Sequence, residues 1–426
     1  MIEDRPGQPA TIGGVTLSRS LWTSRRLTIW GAGLLFLSWF IYAHTMMVPG
    51  FLDRAGRFKG TDHIYFYVMG SLMLDGRPDD LYRPEAHLAE GRRRITSDLA
   101  LYAPYSNYGP QVAWAFAPLA RLPYGWSLAL FLTLTAVFYA ASVWLVWRDL
   151  PGLAPYGRLV ALLAAASPSF LTLFRYAQLS ALSLLLLSLA LVALRRDRRI
   201  LAGLALGMMV FKPQLGVVPG VVLLVAGEWR IAAGAAIAAA AQLGLAWAVS
   251  GSGVMAEYLA VLWSLVRDPS LVQIYPTEVH SIRGFLTLLI PSPRVVSAVS
   301  VIALIAIVAV GVRVWRSKCG VDLRWGTLIL LTILASPHLL TYDLVLLTIP
   351  LLTFGEWAVT HRSDRQHRAI SLALLLAYLA PFSSNLSRLW PLQISVVVIG
   401  ALAWMAHWMC RGVRLTGGPG DQEEDI

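Results

Sequence analysis

The chain has 426 residues, of which 57% are hydrophobic and only 14% charged, and its mean hydropathy is +0.62. So little polar surface cannot cover a water-soluble globule of this size, which excludes a soluble protein and predicts an integral membrane protein. The net charge of +11 does not indicate nucleic-acid binding, because the basic residues lie between apolar runs and form no single patch.

The first apolar run, residues 27–48, is long enough for a transmembrane helix and too long for a signal-peptide core. Arg25 and Arg26 precede it, so the positive-inside rule predicts a cytoplasmic segment over residues 1–26. Residues 49–123 then form a loop on the outer side. A loop of this length, rich in tyrosine, proline and glycine, is expected to carry function.

One acid in this loop has an unusual setting. Asp62 follows the first span closely and stands in the aromatic stretch Gly60-Thr61-Asp62-His63-Ile64-Tyr65-Phe66-Tyr67. A lone acid in an outer loop is normally a solvated surface residue, but this place near the membrane favours a catalytic base. We therefore predict that Asp62 is catalytic and that Tyr65 and Tyr108, from the same aromatic loop, contact the substrate.

The next two segments differ in length. Residues 111–122 are apolar but too short to cross a bilayer, and they are predicted to form a helix at the membrane surface. Residues 124–147 form the second predicted span, which returns to the cytoplasm at Arg148.

Three later apolar runs share one pattern, with basic or polar residues at both ends and a polar break in the middle. Because both ends carry cytoplasmic signals, each run is predicted to be a hairpin. The arms of the second and third hairpins are short, so their tips are expected in a protein-lined cavity, where interrupted spans indicate a binding site. The hairpins and their breaks are residues 156–194 with a break at 174–178, residues 200–227 with a break at 211–214, and residues 324–357 with a break at 336–343.

The remaining apolar segments complete an all-α polytopic membrane protein. It has about twelve transmembrane helices, both termini in the cytoplasm and one transmembrane domain over residues 27–410, followed by an acidic tail over residues 411–426. The further predicted segments are spans at 231–249 and 294–312, an outer loop at 250–293, and spans at 369–381 and 392–408.

Ionisable side chains occupy each of the three breaks. Arg175, Lys212 and His338 together predict an anion site suited to phosphate. The alternatives are that Arg175 and Lys212 only extend from helix ends to the interface, and that His338 is a satisfied polar cap. Asp343 could pair with His338 or Lys212 and tune their charge instead of reacting.

Several other kinds of site have no support in the sequence. It contains no glycine-rich phosphate motif, no zinc-ligand spacing and no nucleophile elbow, so we expect neither a cofactor nor a metal. The two cysteines, Cys319 and Cys410, both fall beside basic clusters predicted to be cytoplasmic, so we expect no disulfide. Lysine is rare among the 35 basic residues, a bias typical of a GC-rich bacterial genome.

Short motifs follow one another in a fixed order over about residues 27–381. They are Asp62-His63-Ile64-Tyr65-Phe66-Tyr67, Asp75-Gly76-Arg77-Pro78, Leu81-Tyr82, Tyr108-Gly109-Pro110, Ala177-Gln178-Leu179-Ser180, Ala202-Gly203, Lys212-Pro213 and Ser336-Pro337-His338. With these motifs in this order, the sequence resembles glycosyltransferase family 87. That family comprises integral membrane enzymes of the GT-C class, including polyprenyl-phosphomannose-dependent α-mannosyltransferases.

The resemblance implies a GT-C-type fold and the inverting transfer of a sugar, most similar to mannose, from a polyprenyl-phosphate donor. The acceptor would be a hydroxyl of a lipid or glycan at the outer face of a bacterial plasma membrane. The family's first-loop acid falls on Asp62, as general base. Its donor-phosphate contacts fall on Lys212 and His338, with Arg175 and Gln178 beside them.

A second class of function stays open from the residues alone. A transporter or flippase could use the same cationic cavity to carry an anionic lipid or solute. Such a protein is expected to show repeated halves and a site near the membrane midplane, whereas the polar groups here gather toward one face. This distribution favours the enzyme.

Overall fold

The computed structural model describes residues 23–101, 107–268, 275–361 and 366–412. Within these ranges the backbone is helical apart from connecting turns and two isolated β-bridges. Most of the predicted N-terminal segment and of the acidic tail lies outside the described residues. The helices of the first half are α1 (Ser24–Met46), α2 (His63–Leu74), α3 (Pro84–Arg94), α4 (Pro110–Phe116), α5 (Tyr124–Trp147), α6 (Gly157–Ala165), α7 (Pro168–Tyr176), α8 (Ser180–Arg195) and α9 (Arg199–Gly207).

The second half continues in the same way, with one helix much longer than the others. Its helices are α10 (Pro213–Val225), α11 (Trp229–Arg267), α12 (Ile282–Leu289), α13 (Pro293–Trp315), α14 (Val321–Ala335), α15 (Thr348–Thr360), α16 (Gln366–Tyr378), α17 (Ser383–Ser387) and α18 (Ile394–Gly412). Short 3₁₀ helices join several of them, including one over Thr341–Leu347 that leads into α15.

Five helical segments are long and apolar enough to cross a membrane: α1, α5, α11, α13 and the joined segment Thr341–Thr360. The number rises to seven if two bent pairs of helices each count as one span. In the first pair α6 and α7 meet at 42°, and in the second α16 meets the segment Ala380–Ser387 at 53°. The predicted number of about twelve also counts shorter apolar helices such as α8 and α10. That number stays a prediction.

All three predicted hairpin breaks are confirmed. The first falls between α7 and α8, where Ala177 adopts a left-handed conformation with φ of 53°. The second falls at Lys212, whose φ of −129° and ψ of 70° are not helical, directly before Pro213 begins α10. The third separates α14 from Thr341. Proline and polar residues end these helices because they remove or compete for backbone hydrogen bonds.

Two segments differ from the prediction. The helix of the predicted span 231–249 ends at Gly251, whose φ of 84° is not helical, as the prediction requires. The outer loop predicted from residue 250 is wrong at its start, because a second helix follows Gly251 and runs to Arg267. Glycine allows the backbone to adopt this conformation, so the chain passes from the first helix directly into the second. The continuation is helical because Val254, Tyr258 and Val261 are buried against the segment that contains α2.

The predicted outer loop is itself a folded unit built around α2. Every residue of α2 from His63 to Met73 is buried, and α4 packs on it through Val112, Ala113 and Phe116. The apolar segment predicted as a surface helix is therefore largely buried against protein. A separate and larger core surrounds α14, in which every residue from Trp325 to Leu334 is buried. The site described below lies where these two units meet.

Close contact between α9 and α11 fixes the approach to the second break. A Cβ atom added at Gly203 would lie 2.1 Å from the carbonyl oxygen of Ile231, and one added at Gly234 would lie 2.3 Å from that of Ile200. Such distances are possible only because glycine has no side chain. This crossing holds α9 in place immediately before the turn at Lys212.

The prediction that the cysteines do not pair is wrong. Cys319, in the turn before α14, is bonded to Cys410 near the end of α18, and their Cα atoms are 5.3 Å apart. The two cysteines are separated by 91 positions in sequence. Their proximity results from the packing of α14 against α18, which no local sequence pattern indicates.

Candidate active site

Asp62 lies at the start of α2, at the end of a tight turn. Gly60 adopts φ of +66°, and the hydroxyl of Tyr124 donates to the carbonyl oxygens of Lys59 at 2.7 Å and of Gly60 at 3.2 Å. The backbone N–H of Asp62 donates to the carbonyl of Tyr176 at 3.1 Å. The turn is thus tied to both α5 and the end of α7, which fixes the position of the acid.

The carboxylate of Asp62 is held by Gln178. Nε2 of Gln178 donates to Oδ2 of Asp62 at 2.9 Å, and Asp62 is only 6% exposed. The orientation of the Gln178 amide follows from the contacts of its oxygen. Oε1 accepts from the hydroxyl of Tyr108 at 2.9 Å and from the N–H of Leu179 at 2.8 Å. With Oε1 accepting two hydrogen bonds, Nε2 is the group that faces the acid.

The backbone at the first break makes this contact possible. Ala177 is left-handed, and few residues other than glycine and asparagine adopt this conformation without cost. The turn ends α7 so that the side chain of Gln178 points back to Asp62 instead of continuing along the helix. Left-handed residues in such turns are frequent at functional sites.

A second group of polar side chains gathers around Lys212. Its ammonium donates to Oδ1 of Asp343 at 2.8 Å and to Oγ of Ser180 at 2.9 Å. The hydroxyl of Ser180 in turn donates to the same carboxylate oxygen at 2.5 Å. Lys212 and Asp343 are each 2% exposed, so the pair is fully desolvated. The sequence left open whether Asp343 pairs with His338 or with Lys212, and it pairs with Lys212.

Tyr342 joins the two groups. Its hydroxyl accepts from Nε2 of Gln178 at 3.3 Å, and the ammonium of Lys212 lies 5.1 Å from the centre of its ring. A cation at that distance from an aromatic ring is attracted to it. One connected network therefore runs from Asp62 through Gln178 and Tyr342 to Lys212.

His338 lies in the same break as Asp343 and offers an unused polar atom. Its carbonyl accepts from the hydroxyl of Ser336 at 3.3 Å, and Oδ2 of Asp343 accepts from the N–H of Leu340 at 3.4 Å, which closes the loop. Nδ1 of His338 is buried and has no hydrogen-bond partner among the described residues. A buried polar atom of this kind is costly unless a ligand or water satisfies it.

Two further predicted residues have different settings. Arg175 lines a separate cavity beside α1 and α5, and Tyr65 is buried in α2 with 5% of its surface exposed. Ser180 and Tyr342 were not predicted as site residues, although Ser180 ends the motif Ala177-Gln178-Leu179-Ser180 and Tyr342 lies in the third break, residues 336–343. The available signal was their position close to a predicted site residue, Gln178 for Ser180 and Asp343 for Tyr342.

The described residues contain no group of three histidine, cysteine, aspartate or glutamate side chains placed to bind a metal ion. The network instead combines one buried carboxylate, held by an amide, with one buried ion pair. A carboxylate in such a position can accept a proton from a hydroxyl, and the ammonium can stabilise a developing negative charge.

A comparison with models of protein families finds that of glycosyltransferase family 87, which matches residues 106–337. The match covers more than half of the chain. The chain belongs to glycosyltransferase family 87. No curated protein and no solved structure matches it.

The matched range contains four residues of the network, Gln178, Ser180, Lys212 and Tyr108. Asp62 lies before this range and Asp343 after it. The contact between Asp62 and Gln178 therefore joins the matched range to the segment around α2. Membership in the family makes the protein a glycosyltransferase.

Proposed function

We propose that this glycosyltransferase moves a sugar similar to mannose from a polyprenyl-phosphate donor to an acceptor hydroxyl, with inversion and with Asp62 as general base. The contact between Asp62 and Gln178 is the observation that carries the proposal. It places a buried, oriented carboxylate beside the family's matched segment. A general base must be held within hydrogen-bond reach of the proton it removes, and this network supplies that rigidity.

The reaction requires one base and one stabilised leaving group. Asp62 accepts the proton of the acceptor hydroxyl as its oxygen attacks the anomeric carbon from the face opposite the phosphate. The bond between that carbon and the phosphate oxygen breaks, and its electron pair leaves on the polyprenyl phosphate. Gln178 keeps one carboxylate oxygen of Asp62 in place during the attack.

The developing phosphate charge is assigned to the second group of side chains. An ammonium has three N–H donors, and Lys212 uses two of them on Asp343 and Ser180. The third is available to a phosphate oxygen, and Nδ1 of His338 offers a further contact. Because Asp343 balances the charge of Lys212, this group stabilises the transition state by directed hydrogen bonds more than by net charge.

The remaining parts of the proposal follow the family resemblance. The acceptor is a lipid or glycan hydroxyl, and the reaction takes place at the outer face of a bacterial plasma membrane with both termini in the cytoplasm. A lipid-linked donor fits a chain with five or more apolar helices, because the isoprenoid tail can stay in the bilayer while its head group enters the site.

The test uses the purified protein in lipid nanodiscs, supplied with radiolabelled polyprenyl-phosphate sugars and a bacterial lipid extract as acceptor. Asp62→Asn is compared with Asp53→Asn, because Asp53 is also 6% exposed and lies in the same segment. The Asp53 carboxylate only accepts N–H groups of its own turn, from Ala55 and Arg57.

We expect transfer by the wild type and by Asp53→Asn, and a loss of at least about a hundredfold in Asp62→Asn. Full activity of Asp62→Asn would remove Asp62 as the base. If no donor is used by the wild type but labelled lipid crosses the bilayer in a flipping assay, a transporter or flippase replaces the proposed enzyme.

A further inference from the structure

A cavity of about 200 Å³ lies beside the Asp62 turn, between the end of α1, the start of α5 and the end of α7. Gly60 forms part of its wall, so it adjoins the turn that carries Asp62. None of Lys212, His338 and Asp343 lines it. It is thus a different site from the polar network described above.

The cavity contains two cations and no neutralising carboxylate. Arg175 is half-buried on its wall and forms no ion pair with any described residue. Lys59 also lines it, and the Lys59 ammonium donates to the carbonyl oxygens of Val48 at 2.5 Å and Gly50 at 2.9 Å. Partly buried cations without an acidic partner are costly, and they indicate that an anion binds.

The rest of the cavity is suited to a lipid. Tyr42, Met46, Leu132 and Phe174 line it. Both α1 and α5 are candidate membrane spans. Large apolar side chains on these two helices are exposed: Phe40 at 58%, Ile41 at 54%, Leu130 at 43% and Val137 at 54%. An amphiphile with a charged head and an apolar chain can therefore place its head at Arg175 and its chain along these helices.

The size of the cavity limits the head group. Pockets that enclose a whole small molecule usually measure about 300–1,000 Å³. At about 200 Å³ this cavity suits a single phosphate and the start of a chain better than a complete sugar phosphate. Arginine binds phosphate through two parallel N–H donors, and a nearby lysine adds a point charge.

We propose that this cavity is a second anion site, which binds the phosphate of polyprenyl phosphate after the sugar has left it. The inference rests on the proposed function, since it assigns a place to that reaction's lipid product. Arg175 holds the phosphate and Lys59 adds charge. The Lys212 group, which is already neutralised by Asp343, acts on the phosphate only while its bond to the sugar breaks.

The experiment measures binding without any sugar donor. Radiolabelled polyprenyl monophosphate is titrated into the protein in nanodiscs of zwitterionic lipid, with phosphatidylglycerol, inorganic phosphate or polyprenol as competitor. Arg175→Gln is compared with the control variant Arg121→Gln. Arg121 is exposed, lies outside the cavity and has no ion pair among the described residues. Ala129→Phe is a second test variant, because Ala129 lines the cavity and a larger side chain there would fill part of it. Ala129 is exposed, so this substitution does not disturb the hydrophobic core.

We expect Arg175→Gln and Ala129→Phe each to weaken binding at least about tenfold, and Arg121→Gln to bind as the wild type does. Asp62→Asn is also expected to bind normally. Equal binding by Arg175→Gln and Arg121→Gln would overturn the proposal. So would competition by equimolar phosphatidylglycerol or by inorganic phosphate alone, since either would show a site without selectivity for the isoprenoid carrier.

The two proposals fail in different ways. If the wild type transfers sugar but does not retain polyprenyl phosphate, the cavity proposal is wrong and the enzyme remains. If Arg175-dependent binding occurs but no sugar is transferred, the site is supported and the catalytic role of Asp62 is not.

Discussion

The ammonium of Lys212 lies 2.8 Å from Oδ1 of Asp343, and both side chains are 2% exposed. The two residues come from different breaks, 131 positions apart in sequence. Their pairing neutralises the lysine that the sequence predicts as part of an anion site. It also makes the second and third breaks dependent on each other for folding.

Removing one partner of this pair should be strongly destabilising. Lys212→Met leaves the buried carboxylate of Asp343 without its counter-charge, for which the usual cost is about 3–5 kcal/mol. We expect a large drop in the thermal unfolding midpoint of the purified protein in detergent. The double variant Lys212→Met with Asp343→Leu should recover most of that midpoint but not transfer activity. A single variant as stable as the wild type would show that the pair is not formed in the purified protein.

Gln178 should affect turnover more than binding. Gln178→Leu removes the N–H that holds Asp62 and frees Tyr108 of its acceptor, so the base is misplaced. We expect kcat to fall by about tenfold to a hundredfold with a small change in donor KM, measured as initial rates of transfer. Gln242→Leu is the control, because the hydrogen bond of Gln242 among the described residues goes to the sulfur of Met208, outside the network. A selective rise in KM would make Gln178 a donor contact.

The turn before Asp62 should not tolerate a side chain at Gly60. There φ is +66°, and an added Cβ would lie 2.4 Å from Cδ1 of Leu128. Gly60→Ala therefore adds backbone strain of about 1–2 kcal/mol and a steric clash. We expect a large loss of transfer, partly recovered when Leu128→Ala is added. Gly244→Ala is the control, since nothing lies within 4 Å of its added Cβ, and it should be neutral.

The segment between α2 and α3 should loosen in acid. Burial raises the pKa of Asp75, but hydrogen bonds from Arg94, at 2.6 Å, and from Arg93 outweigh it and hold the pKa below the usual 3.8. A carboxylate with a depressed pKa in the folded state contributes stability that is complete above pH 3.8. That stability is lost as the pH falls through the lower, folded-state value.

Hydrogen exchange of α3, corrected for intrinsic rates, checks this expectation between pH 6 and pH 3. In the wild type, protection should fall at the acid end of the range. In Asp75→Asn, protection should be lower at pH 6 and should change less as the pH is reduced. Identical pH profiles for the two proteins would contradict the role of Asp75.

The bond between Cys319 and Cys410 should stabilise the packing of α14 against α18. Loss of a disulfide that closes a long loop typically costs about 2–5 kcal/mol. We expect Cys410→Ser to lower the thermal midpoint and to make it insensitive to reductant, while the wild type loses stability when reduced. Thiol counting on the unfolded, unreduced wild type should find no free cysteine. Two titratable thiols in that experiment would show that the bond is absent.

Much of the architecture could be predicted because membrane helices are encoded locally. Long apolar runs require internally satisfied backbones, and proline or charged residues interrupt them, so the breaks at Ala177, Lys212 and Ser336 were predictable. The helix that follows Gly251 and runs to Arg267 was not predictable in this way, because those residues read as part of an outer loop. Only the packing of Val254, Tyr258 and Val261 against the segment that contains α2 shows that these residues form a helix.

The sequence alone determined the helical class, the positions of the breaks and the choice of Asp62 as the acid with an unusual setting. These depend on short-range hydrophobicity and on backbone chemistry, which any stretch of the chain carries by itself. The tertiary structure decided which side chains meet: Gln178 with Asp62, Lys212 with Asp343, and Cys319 with Cys410. Such contacts join residues far apart in sequence through the packing of several helices. Packing therefore determined that Lys212 is neutralised by a carboxylate, whereas Arg175 has no acidic partner among the described residues.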